Sequence, residues 1–254
     1  MWKRVLLSIF CVTNICGWTD LQAQNLRVND HNTNAWLMYF GSHTINQKWG
    51  IHTEAQIRRA EVVETWQQIL LRGGINYNIT KNAMATLGYA FIETFPYGGY
   101  PASEAFPEHR IYQQLQFRNK EGILPLLHRF RQEQRWVTPA GKDTAVYTNR
   151  TRYMFRAVLP LVKPTEENRS VYQPNGLYLA AYDEIFVNFG KNVQQNVFDQ
   201  NRLYFAIGFK TSSFGSVEAG YLNQILQKGN GRIFEYNHTL QLAYYYNINF
   251  SANK

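Results

Sequence analysis

From Trp49 to Arg58 the chain alternates with a period of two: Trp49, Ile51, Thr53, Ala55 and Ile57 share one parity, and His52, Glu54, Gln56 and Arg58 share the other. Successive strand side chains point to opposite faces, so this segment is a surface with one apolar side and one charged side. Strand-like stretches follow one another near 35–41, 48–59, 67–79, 83–95, 109–119, 123–137, 147–161, 176–189, 200–211, 215–227 and 233–250, and no stretch keeps a helical period for long. One such strand would be half-buried in any sheet. Repeated nearly to the C-terminus, without a separate hydrophobic core, the pattern predicts a transmembrane β-barrel with lipid on one side of each strand and a lumen on the other. No run approaches the roughly 20 apolar residues of a transmembrane helix.

The connections sharpen this picture. Thr80-Lys-Asn82, Asn119-Lys-Glu-Gly122 and Thr211–Gly215 are tight, whereas Pro96–Glu108, Thr138–Val146 and Gly190–Asp199 are long. Short turns at one rim and long loops at the other are the outer-membrane arrangement. Two details resist it. Pro164–Asn175 is long but falls by parity on the short-turn side, and the first stretch has to descend from the loop side. An even count then needs another short strand within Gln24–Asn34, where Leu26 and Val28 alternate with Arg27 and Asn29. The expectation is an antiparallel, up-and-down barrel of about 12 strands, with about 10 as the alternative. One strand carries Leu126, His128 and Phe130 toward lipid before turning polar at Gln132 and Gln134. Its neighbour passes through Asn149 and Thr151 to Tyr153, Phe155, Ala157 and Leu159, so both strands are expected to project beyond the outer leaflet. Aromatic residues such as Trp36, Trp49, Trp66, Tyr77, Trp136 and Tyr147 stand near strand ends, where amphipathic rings lie at headgroup level. Leu240, Leu242, Tyr244, Tyr246, Ile248 and Phe250 make the apolar face of a closing strand.

The ends place the chain. Met1-Trp-Lys-Arg-Val-Leu-Leu-Ser-Ile-Phe10 has the basic start and apolar stretch of a secretory signal, with a cleavage point after Ala23, so residues 1–23 read as a leader and 24–254 as one barrel domain. Cys11 and Cys16 both fall in that leader, which leaves the mature chain without disulfides or thiolate metal sites. The net charge of +8 drops by one when Lys3, Arg4 and Asp20 leave with the leader. Its arginines are spread singly through alternating strands rather than clustered in a tail or groove, so nucleic acid is not the expected partner. The expected partners are outer-membrane lipid and the outer-membrane insertion machinery, the expected location is the bacterial outer membrane, and the expected state is a monomer with no cofactor.

With apolar faces turned to lipid, the other parity sends a dense charged set inward: Glu54, Arg58, Arg72, Arg110, Arg118, Arg129, Arg131, Glu133, Arg135, Arg150, Arg152, Arg156, Glu184 and Arg202, with Lys210 and Glu218. Arg129-Phe-Arg-Gln-Glu-Gln-Arg135 puts Arg129, Arg131, Glu133 and Arg135 on one face. These charges read either as ion-paired filling of a narrow barrel or as an anion-attracting passage or cradle for a phosphate or carboxylate. A barrel enzyme acting on envelope lipid is the rival class, and the chain leans against it. His128 and His238 face outward, but Ser42, Ser103, Ser170, Ser212, Ser213 and Ser216 lie in turns, loops or their edges, and no Gly-x-Ser-x-Gly elbow occurs. A hydrolase built on Asp183, Glu184 or Glu133 remains open. His31, His43, His52, His109, His128 and His238 are scattered, so no metal site is expected. Asp183 breaks the lipid-face parity set by Leu179, Ala181, Ile185 and Val187, which calls for a bulge or a position above the membrane.

Trp36, Glu54-x-Gln56-x-Arg58, Gly88-Tyr89, Glu108-x-Arg110, His128-Arg-Phe-Arg-x-Glu-x-Arg135, Tyr182-Asp-Glu-Ile-Phe186 and Arg202 resemble the recurring features of the domain-of-unknown-function family twenty-four-ninety. The resemblance covers most of the mature chain. It implies an outer-membrane-type barrel of Gram-negative bacteria, with a Bacteroidota character, and no substrate. It also implies that the signature positions Glu54, Arg58, Arg110, Arg129, Arg131, Glu133, Arg135, Glu184 and Arg202 line the lumen.

Overall fold

A computed structural model describes residues 27–119, 124–161, 175–211 and 215–250. The expected leader with Cys11 and Cys16 lies outside the described residues, as do most of the connections at 120–123, 162–174 and 212–214. Eleven strands run through the described residues: β1 (Val28–Thr44), β2 (Trp49–Ala60), β3 (Thr65–Asn78), β4 (Ala83–Thr94), β5 (Phe106–Asn119), β6 (Leu126–Val137), β7 (Val146–Pro160), β8 (Gly176–Phe189), β9 (Phe198–Lys210), β10 (Ser216–Gln227) and β11 (Ile233–Tyr246). Each pairs with the next, and β1 meets β11 to close the barrel.

The count is one fewer than the twelve expected, and the difference sits at the N-terminal end. Residues 28–34 do not make a strand of their own. Their alternation runs without a break into the next stretch, so Asn32, Asn34, Trp36 and Met38 occupy successive positions of one parity in a single 17-residue β1. An up-and-down meander with an odd number of strands has its first and last strands running the same way. Closure is accordingly parallel, with Val28–Gly41 paired against Ile233–Tyr246, while every other pairing is antiparallel. β1 therefore begins at the rim of the long connections 95–105, 138–145 and 190–197, and β11 ends at the opposite rim.

Register fixes the tilt that closure requires. Paired positions followed from Met38 through Gln56, Leu70, Ile92 and Glu108 reach Val137, climbing from the middle of β1 to the last residue of β6. The two faces of the sheet invert the usual arrangement of a soluble protein. Leu87, Ile75 and Ile207 are 60%, 58% and 59% exposed on the outside, whereas Arg131 and Glu133 are 2% and 0% exposed on the inside.

Packing inside the barrel depends on glycine at two places where a ring lies against the neighbouring backbone. Tyr112 pairs with Gly88 and covers the Gly74–Gly88 pair, and a Cβ on Gly88 would overlap both the Tyr112 ring and the Gly73 carbonyl. Tyr178 lies on its partner Gly208 in the same way. A buried apolar cluster joins Trp36, Met38, Tyr204, Ala206, Leu222 and Ala243 across β1, β9, β10 and β11, with Phe40, Tyr182 and Tyr245 packed against it.

Two bulges break the parity of the sheet. Between Arg58 and Arg59 the register to β3 slips, so Gln67 is the extra residue between Trp66 and Gln68. Between Phe186 and Val187 the register to β9 slips at Asp199. Both extra residues are buried, Gln67 beside Gln68 and Asp199 beside Gln200, where strict alternation would have turned them outward.

Candidate functional site

β6 supplies the spine of an ionic network, because Arg129, Arg131, Glu133 and Arg135 take successive inward positions along it. Glu133 sits at the centre. Its Oε2 accepts from Arg150 Nη2 at 2.6 Å and Nε at 2.9 Å, and its Oε1 accepts from Arg152 Nη1 at 2.7 Å. Arg152 Nε also donates to Glu184 at 3.0 Å, and Arg129 Nη2 reaches the same carboxylate at 2.8 Å. Glu108 accepts from Arg110 Nη2 at 2.8 Å and from Arg135 Nη2 at 3.1 Å. Arg72 pairs with Glu54, and Arg150 ties the network to Asp199 through Nη1 at 2.7 Å. Strands β2, β3 and β5 to β9 are thereby cross-linked through side chains as well as through the sheet. A buried ion pair returns its desolvation cost only when its geometry and hydrogen bonds are good, and removing one partner strands the other charge.

A cavity of about 260 Å³ lies beside this network, beneath the loops that carry Tyr97, Ala102, Asn196 and Gly229. Among the described residues, seven arginines and Lys228 line it against the three carboxylates Glu54, Glu108 and Asp199, so its lining is positive on balance. Arg58 and Arg202 differ from the other arginines. Arg58 donates only to carboxamides, Nη1 to Gln68 at 2.7 Å and Nε to Gln56 at 3.0 Å. Arg202 Nε reaches Gln200 at 3.2 Å. Both guanidinium groups stand over Trp36, at 4.0 and 5.2 Å from the ring centroid, and Arg202 also stands 4.8 Å over Phe186. The bulge residue Gln67 holds Trp36 in place by accepting from its Nε1 at 2.7 Å. At the loop rim Tyr97 donates to Glu235 at 2.7 Å, with Lys228 Nζ 2.5 Å from the same carboxylate. Burial, and then the Glu235 carboxylate beside it, push the Tyr97 phenol well above its ordinary range, so it stays a donor.

Of the residues expected inside, Glu54, Arg58, Arg72, Arg110, Arg129, Arg131, Glu133, Arg135, Arg150, Arg152, Glu184 and Arg202 come together in and around this network. Arg131 packs on the Tyr112 ring and donates to Gln114 at 2.8 Å. Arg156 belongs to a separate group with Glu218 and Tyr178. Arg118 stands apart near the turn rim, donating to Gln116 at 2.8 Å. Sequence reasoning did not place Glu108, Asp199 or Glu235 in the network. Glu108 shares the parity of Arg110, two residues on, and could have been found from that alone. Asp199 could not, because its inward turn depends on the bulge.

Asp183 faces outward and is exposed, accepting from Asn201 Nδ2 at 3.0 Å. The register is regular there, and the bulge lies three residues further along at Phe186/Val187. Glu133 and Glu184 are each engaged by two arginines. Ser42 and His43 are neighbours in β1 and so point to opposite faces. Four outward histidines each meet a tyrosine hydroxyl: His43 with Tyr39, His109 with Tyr89, His128 with Tyr153 and His238 with Tyr221. Among the described residues no group of three or more His, Cys, Asp or Glu could hold a metal ion.

No curated protein and no solved structure matches the chain. The profile of a family described as "Protein of unknown function (DUF2490)" matches residues 33–235. That span contains every strand from β2 to β10 and the whole ionic network with its cavity. The chain belongs to the DUF2490 family of proteins of unknown function.

Proposed function

We propose that this protein is an outer-membrane β-barrel of a Gram-negative bacterium whose interior is closed by ion pairs and packed rings, with a positively lined cup beneath the loop rim, and that it is not an open pore. Residues 1–23 act as the secretory signal in this reading. The mature barrel is inserted by the outer-membrane machinery and meets lipid as a monomer. The observation that carries the membrane location is the inversion of the two faces: large apolar side chains such as Leu37, Leu71, Leu87, Phe205 and Leu240 are exposed on the outside while the charges are buried within.

The closed state rests on what fills the barrel. Trp36, Phe186, Tyr204 and Leu222 are all at most 2% exposed, and Glu133 is fully enclosed by Arg150 and Arg152. A solute entering from the loop rim meets these side chains before it meets the other rim. Anion conduction is the second reading, favoured by the positive balance of the cavity lining. Planar-bilayer recording of the purified protein decides between them. Silence across applied voltages is the expected result. Steady anion-selective openings that shrink in Arg131→Ala and Arg135→Ala would overturn the closed barrel in favour of a channel.

A further inference from the structure

We infer that Arg58 and Arg202 form the anion-binding element of the cup, and that the cup takes a small hydroxylated organic anion, an acidic or phosphorylated monosaccharide. Arg72, Arg110, Arg135, Arg150 and Arg152 each have a carboxylate at ion-pair distance. Arg58 and Arg202 have none among the described residues, although they are only 6% and 8% exposed. Both face the cavity. The terminal amino groups of Arg202 donate to no described residue, its one hydrogen bond being from Nε to Gln200.

Two buried guanidinium groups with no carboxylate at ion-pair distance are costly unless an anion joins them, and a planar fork of donors matches carboxylate and phosphate oxygens two at a time. Both guanidinium groups stand over the Trp36 ring; the Nε and Nη2 edge of Arg58 already donates to Gln56, so the terminal amino groups of Arg202 are the freer donors.

The rest of the lining narrows the ligand. Gln56, Gln67, Gln68, Gln200 and Gln224 bring carboxamides to the cavity; most of them already bond neighbours, and their second N–H groups are left for a hydroxyl group. Tyr97, Phe95 and Phe186 add ring surface, against which the C–H face of a sugar packs. A volume of about 260 Å³ falls just below the range of about 300–1,000 Å³ that holds drug-sized ligands. One monosaccharide carrying one acidic group suits that volume and that lining.

This inference takes its cup from the proposed closed barrel, but the anion site needs only Arg58, Arg202 and the lining around them, and binding is measured independently of conductance. Saturation-transfer NMR on the full barrel in detergent, with glucuronate, glucose 6-phosphate, inorganic phosphate and glucose as probes, tests it. Saturable binding of glucuronate or glucose 6-phosphate is expected, and whichever binds tells carboxylate from phosphate. Glucose is expected to bind at least tenfold more weakly. In Arg58→Gln and Arg202→Gln the affinity for the acidic sugar is expected to fall at least tenfold. Arg202→Lys, which keeps the charge and loses the fork, is expected to be intermediate. Failure of both acidic sugars to bind the unaltered protein overturns the proposal whatever the variants do. So does binding that the substitutions leave unchanged, or binding of inorganic phosphate as tight as that of the sugars. A barrel that conducts but still binds would remove the closed reading and leave this one standing.

Discussion

Two arcs of the barrel wall fill the same interior by opposite means. From β5 to β8 the inner wall carries the ionic network, and nearly every carboxylate accepts from two or more donors of neighbouring arginines. From β10 through β11 to β1, across the parallel seam, the stretch between Glu235 near the loop rim and Glu218 near the turn rim is apolar or neutral: Leu222, Ala243, Trp36 and Met38 share the wall with Asn34, Asn237, Thr239 and Gln241. The seam arc is just as solvent-excluded, and the buried polar atoms it leaves unpaired are mostly neutral, whereas Arg129 Nε and Arg131 Nη1 are among those unpaired in the ionic arc. Both amide atoms of Asn34, the Asn237 and Gln241 carbonyl oxygens and the Thr239 hydroxyl have no hydrogen-bond partner among the described residues. The ionic arc is thus stable only when complete, and the seam arc carries polar atoms that contribute nothing to its packing.

Breaking the ionic arc gives the largest expected effect. Glu133→Gln leaves Arg150 and Arg152 with one counter-charge each and is expected to lower unfolding free energy by about 3–5 kcal/mol, read by denaturant titration in detergent micelles. A loss below about 1 kcal/mol would make the network ornamental to stability. Removing packing from the other arc is expected to cost somewhat less. Leu222→Ala, at a position with no exposure, should cost about 2–4 kcal/mol in the same titration, and a negligible change would show that the cluster collapses around the gap. The smallest effect has the opposite sign. Thr239→Val deletes a fully buried hydroxyl without a partner, and stability is expected to hold or rise by about 1 kcal/mol. A clear loss there would erase the distinction between the arcs.

What the sequence made legible follows the same division. Alternation placed ten of the strands within a few residues and put the β6 ladder on the inner face, because period two is enforced wherever one face must be apolar. It failed where the backbone departs from period two. Gln67 and Asp199 turn inward only because each is the extra residue of a bulge, and local composition does not mark either place. The closing pair was also out of reach. Partners as distant as Trp36 and Gln241 are set by the odd strand count, and the count depended on whether 28–34 joined the next stretch. The distinction of Arg58 and Arg202 from the other arginines was equally hidden, since it depends on which carboxylates other strands bring near.

The parallel seam has a topological consequence for handling the protein. In an even-stranded barrel the two chain ends leave from one rim, and a short linker can join them to make a permuted chain with new ends elsewhere. Here the chain ahead of Val28 and the chain after Tyr246 leave from opposite rims. Any linker would have to run the full height of the wall, along its outer face or through a filled interior, so this barrel resists circular permutation. Epitopes fused at its two ends would lie at opposite rims of the barrel.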